Sequence, residues 1–152
     1  MHRVIIFFCS KGEASGKETQ YGQWVKWAEE NGATMFVLEH RFYHVKNPLP
    51  VEDLSVSNLA YLSSRQALED VGHFITFINQ KYNFTAPWIT FGGSYAGTLS
   101  AWMRLRFPHL VAGSVSSSAP LFAKLDFFEY LQVIFVHHRL LKPFFTNINK
   151  FR

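Results

Sequence analysis

The 152-residue chain has the length of one domain or of part of a larger one, and its 48% hydrophobic residues are enough to build a globular core. Its net charge of +4 comes from scattered Lys and Arg, which argues against a nucleic-acid surface. No apolar run reaches the roughly 18 residues that cross a bilayer, and no start of signal-peptide form is visible.

The first half of the chain shows strand and helix patterns in alternation. Val4–Cys9 is a continuous apolar run, typical of a strand buried on both faces. Gln20–Asn31 is predicted to be a helix, because its large apolar residues share one face and Gly32 follows where a C-cap belongs. Ala33–Leu38 is predicted to be the next strand, and Glu39–Leu62 is a long loop.

The second half repeats the alternation. Ser63 and Gln66 form a capping box, which predicts the start of a helix whose apolar positions follow the 3.6-residue period. Pro87–Phe91 is predicted to be a strand, Tyr95–Arg106 a helix and Leu110–Val115 a further strand. Repeated βαβ units predict an α/β fold with a parallel sheet and helices on both faces.

Ligands of such sheets bind beyond the carboxyl ends of the strands. Three loops are predicted to meet at that edge: Ser10–Ser15, Glu39–Tyr43 and the turn at Ser94.

Ser94 follows a predicted strand, precedes a predicted helix and is flanked by small residues. This is the sequence form of a nucleophile elbow, the tight turn that exposes a reactive serine in α/β-hydrolases. The positions two before and two after the serine have almost no room for a side chain, and Gly92 and Ala96 occupy them. Gly93 and Gly97 complete the support of the turn, although a plain loop would also use such residues.

A serine acts as a nucleophile when a histidine takes its proton and an acid orients that histidine. The tetrahedral intermediate also needs backbone N–H donors. One is expected from Tyr95, the residue after the nucleophile, and the other from the loop after an earlier strand. Gly12 or Glu13 is the candidate for that second donor, and a plain turn glycine is an equal interpretation of Gly12.

Other candidates favour structural roles. Glu39, His40 and Arg41 form either an active-site ion network or a buried hydrogen-bond hub, and the hub is favoured because charged clusters at strand ends usually have that role. The four tryptophans are expected in the core rather than on a substrate platform. No Cys/His cluster has metal-ligand spacing and no glycine loop has phosphate-binding form, so we expect neither a metal nor a cofactor.

Several ordered motifs resemble the serine peptidase family that contains lysosomal Pro-Xaa carboxypeptidase, dipeptidyl peptidase II and thymus-specific serine protease, with most likeness to the thymus-specific branch. The resemblance covers roughly Val4 to Tyr130. It rests on Glu39–Tyr43, Asn58–Leu68, Pro87–Gly97, Phe107–His109 and Ser117–Pro120.

This resemblance implies an α/β-hydrolase core in which Ser94 forms the acyl-enzyme. Lys11 and Ala14 depart from the family's glycine-rich turn, which is where the second oxyanion donor is expected. His44 stands where the family has glycine. The family's acid and histidine lie near its C-terminal end, so the chain is expected to be truncated before them and inactive by itself.

The domain prediction is a partial α/β-hydrolase core over residues 1–130 and an unrecognised segment over 131–152. That segment is either an altered start of the family's helical insertion or an unrelated tail. A triad of Asp126 with His137 or His138 is disfavoured, because no sheet strand would supply the geometry, and His109 is expected to be structural.

The predicted function is therefore a serine exopeptidase that hydrolyses short peptides, present here as an incomplete fragment. An esterase or lipase on the same fold is one alternative, since an elbow alone does not separate esters from amides. A catalytically dead fragment with a binding role is the other. Asn83 begins an Asn-Phe-Thr acceptor for N-glycosylation, and the resemblance implies a secretory, lysosomal, endosomal or secreted protein.

Overall fold

The structure, a computed structural model, describes residues 3–9, 14, 16–43 and 54–137. The chain forms two compact units, Met1–Leu121 and Phe122–Arg152. In the second unit the described residues include a helix over residues 128–137. The proposed catalytic serine lies in the first unit, and the boundary predicted after residue 130 stays a prediction.

Strands and helices alternate along the described part of the first unit. They are, in order, β1 (Arg3–Cys9), α1 (Gln23–Glu30), β2 (Ala33–Glu39), α2 (Ser64–Tyr82), β3 (Trp88–Gly93), α3 (Tyr95–Arg106) and β4 (Val111–Ser117). Two short 3₁₀ turns, Lys17–Thr19 and Asn58–Tyr61, lie in the connections.

The four strands form one parallel sheet in the order β2-β1-β3-β4. Val4 of β1 pairs with Thr34 of β2 on one side and with Trp88 of β3 on the other, so β1 and β3 are the inner strands. The predicted parallel α/β sheet is confirmed. All carboxyl ends point to one edge, which is where β3 runs into Ser94.

Helices cover both faces of the sheet, as predicted. Trp24 and Ala28 of α1 pack with Phe91 of β3 in one buried cluster. Trp88, three residues before Phe91 and therefore on the opposite face, packs with α2 and α3 in the other cluster. Each helix thus buries its apolar face against the strand side chains that point to the same face of the sheet.

Helix ends follow local chemistry. The Ser63 hydroxyl accepts a hydrogen bond from the Gln66 N–H at 3.2 Å, so the predicted N-cap is confirmed. Gly32 has φ of +56° and donates its N–H to the carbonyl of Glu29, as a residue just past a helix does. Helix α1 begins at Gln23 rather than Gln20, because Gly22 before it has φ of +118°, which no helix allows.

The tryptophans are only partly the core residues that the sequence predicts. Trp24 and Trp88 are buried, and Trp102 packs against the larger cluster. Trp27 differs, since 41% of it is exposed at the rim of the smaller cluster, where its ring still lies 6.0 Å from that of Phe91.

Candidate active site

Ser94 is the single residue between the end of β3 and the start of α3. Its backbone has φ of 56° and ψ of −130°, a combination that a residue with a side chain rarely adopts. Its side chain is exposed at the carboxyl edge of the sheet. The Ser94 N–H donates to the carbonyl of Ser117 at 2.9 Å, and the Ser94 carbonyl accepts from the Thr98 N–H at 3.0 Å. These two bonds hold the strained residue in place.

The tightness of this turn explains its small residues. A Cβ built on Gly92 would lie 2.2 Å from the carbonyl oxygen of Ala96, so no side chain fits there. Ala96 is itself buried. A Cβ on Gly97 would lie 2.9 Å from the carbonyl oxygen of Gly92 and 3.0 Å from that of Ser117. Gly93 is different, because the nearest atom to its Cβ would be 4.0 Å away.

The last residues of β4 and the segment after it hold the first turn of α3. The Ser116 hydroxyl donates to the carbonyl of Gly97 at 2.7 Å, and the Thr98 hydroxyl donates to the carbonyl of Pro120 at 3.1 Å. Together with the Ser94–Ser117 bond, these contacts fix the elbow from the neighbouring strand. Ser116 lies one residue beyond the predicted strand Leu110–Val115, and the run of serines at 116–118 is the sequence feature that could have pointed to it.

The N-terminus of α3 directly follows Ser94. Its first N–H groups have no acceptor inside the helix. Among the described residues, none accepts a hydrogen bond from the Tyr95 N–H. The helix dipole also favours negative charge at this end, so the position suits an oxyanion that forms at Ser94.

The loop after β2 reaches this site through His40. The His40 Nε2 atom lies 3.2 Å from the Tyr95 hydroxyl, and Nδ1 lies 2.8 Å from the carbonyl oxygen of Arg41. The ring also stacks on Tyr43 with 4.6 Å between centroids. Desolvation by burial lowers the pKa of His40, so the neutral imidazole is favoured.

Arg41 belongs to a structural hub that joins the loop after β2 to α2. Its guanidinium makes two hydrogen bonds of 2.6 Å to Asp70 of α2 and a third of 2.9 Å to the carbonyl of Tyr61. Glu39, the last residue of β2, accepts the Ala14 N–H at 2.6 Å, which joins the loop after β1 to the end of β2. The hub interpretation is favoured for Glu39 and Arg41, whereas His40 contacts Tyr95 beside Ser94. Asp70 was not a sequence candidate, because nothing links it to Arg41 along the chain.

Several predicted residues lie outside the described part of the chain. These are Gly12, Glu13, Lys11, His44 and His138. Asp126 and His137 belong to the second unit. Among the described residues, the Ser94 hydroxyl makes no hydrogen bond to a histidine or to an acid.

Comparison with known proteins identifies the relationship behind this geometry. A family model described as "Serine carboxypeptidase S28" matches residues 2–145. The chain belongs to the serine carboxypeptidase S28 family. The resemblance deduced from the motifs is thereby confirmed.

Members of the S28 family related to this chain are named as serine proteases or carboxypeptidases. Thymus-specific serine protease of Homo sapiens is 50% identical over 105 residues, which cover 68% of this chain and 20% of that protein. A Caenorhabditis elegans protein named as a serine protease is 50% identical over 143 residues, or 92% of this chain and 26% of that protein.

A more distant relative, named as an extracellular serine carboxypeptidase of Arthroderma benhamiae, is 35% identical over 134 residues, or 81% of this chain and 18% of that protein. This S28 chain therefore spans about a quarter or less of the length of these relatives.

In the described part of the S28 chain, no three His, Cys, Asp or Glu residues are grouped to hold a metal ion. No helix there is both long and apolar enough to cross a membrane.

Proposed function

We propose that Ser94 is the acyl-forming nucleophile of a serine exopeptidase that acts on short peptides. The observation that carries the proposal is the exposed, strained serine between β3 and α3, with the N-terminus of that helix beside it. The names of the relatives support peptide hydrolysis, and one of them is a carboxypeptidase by name. The α/β-hydrolase fold belongs to the same proposal.

The reaction follows from the position of the groups. Ser94 Oγ attacks the scissile carbonyl while a histidine takes its proton, and the oxyanion that forms accepts a hydrogen bond from the Tyr95 N–H. Gly12 or Glu13 is the proposed second donor. The same histidine then protonates the leaving amine, which departs as the C–N bond breaks. Water hydrolyses the remaining ester to free Ser94.

We propose further that the histidine and its acid come from protein beyond these 152 residues. In α/β-hydrolases both follow the nucleophile along the chain. His40 is unsuited to the task, because both of its ring nitrogens already have partners. The 152-residue chain by itself is therefore expected to be inactive. We call the product of the complete reading frame that encodes this chain the extended protein.

A panel of substrates tests this function in the extended protein. We expect hydrolysis of short peptides with one free terminus, and loss of that hydrolysis when the terminus is blocked. A block at the carboxyl end of the peptide should stop a carboxypeptidase, and a block at the amino end should stop a dipeptidyl peptidase. Ser94→Ala is expected to abolish turnover. Hydrolysis of aryl esters without any peptide hydrolysis would favour the esterase alternative, and turnover that survives in Ser94→Ala would contradict the proposal.

We also propose that the protein enters the secretory pathway and becomes lysosomal, endosomal or secreted. One relative is extracellular by name. Asn83 supports the proposal from its position, because it is exposed at the C-terminal end of α2 and has φ of 51°. Thr85, the third residue of the acceptor, is also exposed.

A glycan on Asn83 is the corresponding prediction. Expression in a secretory host should give a product whose gel mobility increases after glycosidase treatment. Thr85→Ala should lack this shift, and it is the cleaner variant because Asn83 keeps its left-handed backbone conformation. Thr76→Ala, which changes an exposed threonine of α2 outside the acceptor, should still shift. A wild-type product with no shift would contradict the prediction.

A further inference from the structure

The hydrogen bonds of His40 define its tautomer. A carbonyl oxygen only accepts hydrogen bonds, so the Nδ1 atom 2.8 Å from the Arg41 carbonyl carries the proton. In the neutral ring Nε2 is then an acceptor, and the Tyr95 hydroxyl donates to it across 3.2 Å. The lowered pKa of His40, which burial causes, keeps Nε2 available for this bond.

This bond connects two loops at the catalytic edge. His40 directly follows β2, and Tyr95 is the first residue of α3, 55 positions later. His40 is 8% exposed and its ring stacks on that of Tyr43, so it is a fixed acceptor rather than a mobile surface group. The Tyr95 side chain is therefore held at its hydroxyl end.

We propose that His40 is a positioning residue that orients the Tyr95 backbone N–H toward the oxyanion at Ser94. The inference rests on the proposed function of Ser94. The first N–H groups of α3 have no acceptor inside the helix to fix their direction. The hydrogen bond from the Tyr95 hydroxyl to His40 anchors the side chain of Tyr95, and this anchor limits rotation of the first turn of α3. Preorganised donors of this kind are effective because they need no rearrangement during the reaction.

Steady-state kinetics of the extended protein test the proposal. Tyr95→Phe removes the hydroxyl and keeps the ring, and His40→Phe removes the acceptor. Each is expected to lower kcat by about 10- to 100-fold with KM changed less than about threefold, since the loss of one oxyanion donor costs about 10²–10³ and a misplaced donor costs less. The double variant should be no slower than the slower single variant, because both changes break one bond.

Two further variants separate positioning from folding. His40→Gln keeps a hydrogen-bond acceptor near the Nε2 position and should recover at least about a third of wild-type kcat. His73→Phe, an exposed histidine of α2, should match wild type. All rates are divided by active sites counted with a fluorophosphonate, so that a merely unstable variant shows fewer active sites but an unchanged kcat.

An unchanged kcat per active site in Tyr95→Phe would overturn the proposal, as would rate losses that multiply in the double variant. A rise in KM with kcat unchanged would also overturn it, because it would place His40 in substrate binding. If these variants resemble wild type while Ser94→Ala is inactive, the role of His40 fails and the proposed function stands. Turnover that persists in Ser94→Ala would remove both.

Discussion

Replacing Gly92 by alanine is expected to disrupt the elbow, whereas replacing Gly93 by alanine is expected to be tolerated. The added methyl at position 92 would lie 2.2 Å from the carbonyl oxygen of Ala96 and 2.7 Å from the Gly97 nitrogen. These are backbone atoms, which cannot swing aside as a side chain can. At position 93 the nearest atom, the Ser117 carbonyl oxygen, is 4.0 Å away.

The cost of Gly92→Ala is expected to be at least about 1–3 kcal/mol, the usual penalty for overpacking a dense site. For a domain of this size each kcal/mol corresponds to about 2–4 °C in Tm. Thermal unfolding of the 152-residue chain measures the difference in Tm between Gly92→Ala and Gly93→Ala. In the extended protein, the rate of labelling by a fluorophosphonate reports whether Ser94 has been displaced. Equal Tm values for Gly92→Ala and Gly93→Ala would show that the turn is looser than the structure describes.

The second large effect is a difference in reactivity between the two lengths of the protein. The extended protein should react rapidly with a fluorophosphonate, and the 152-residue chain should react slowly or not at all. The expected ratio is large, because removing the base from a serine triad costs on the order of 10⁶ in turnover. Time courses of labelling by each protein at equal concentration give the two rate constants.

Ser94→Ala in the extended protein is the control, and it should abolish labelling. Rapid labelling of the short chain that depends on Ser94 would contradict the account, because it would mean that a base lies within residues 1–152. His40, His137 and His138 would then be the residues to replace by glutamine.

The elbow is predictable from sequence because its constraints are local. A serine between a strand pattern and a helix pattern requires a sharp turn, and the steric demand of that turn appears directly as Gly92 and Ala96. The same local logic predicts the N-cap at Ser63 and the Gly32 conformation. It fails at the start of α1, where the predicted helix begins at Gln20 but Gly22 has a backbone φ of +118°, which lies outside the helical range.

The surroundings of the elbow are not predictable from sequence because they depend on distant contacts. β1 lies between β2 and β3, so the loop after β2 has to pass the end of β1 before His40 meets Tyr95. The ion pair of Arg41 with Asp70 joins that loop to α2 across 29 positions. The sequence identifies Arg41 as part of a hub but gives no sign of which acid completes it.

The identity of the residue that carries the covalent adduct tests the central claim most directly. The extended protein would be labelled with a fluorophosphonate, deglycosylated, because Asn83 lies on the same peptide, and cleaved with trypsin. Fragmentation of the peptide between Lys81 and Arg104 then locates the phosphonyl group. The account predicts one adduct on Ser94. An adduct on Ser100 or on any residue outside this peptide, with Ser94 unmodified in the inhibited protein, would contradict it.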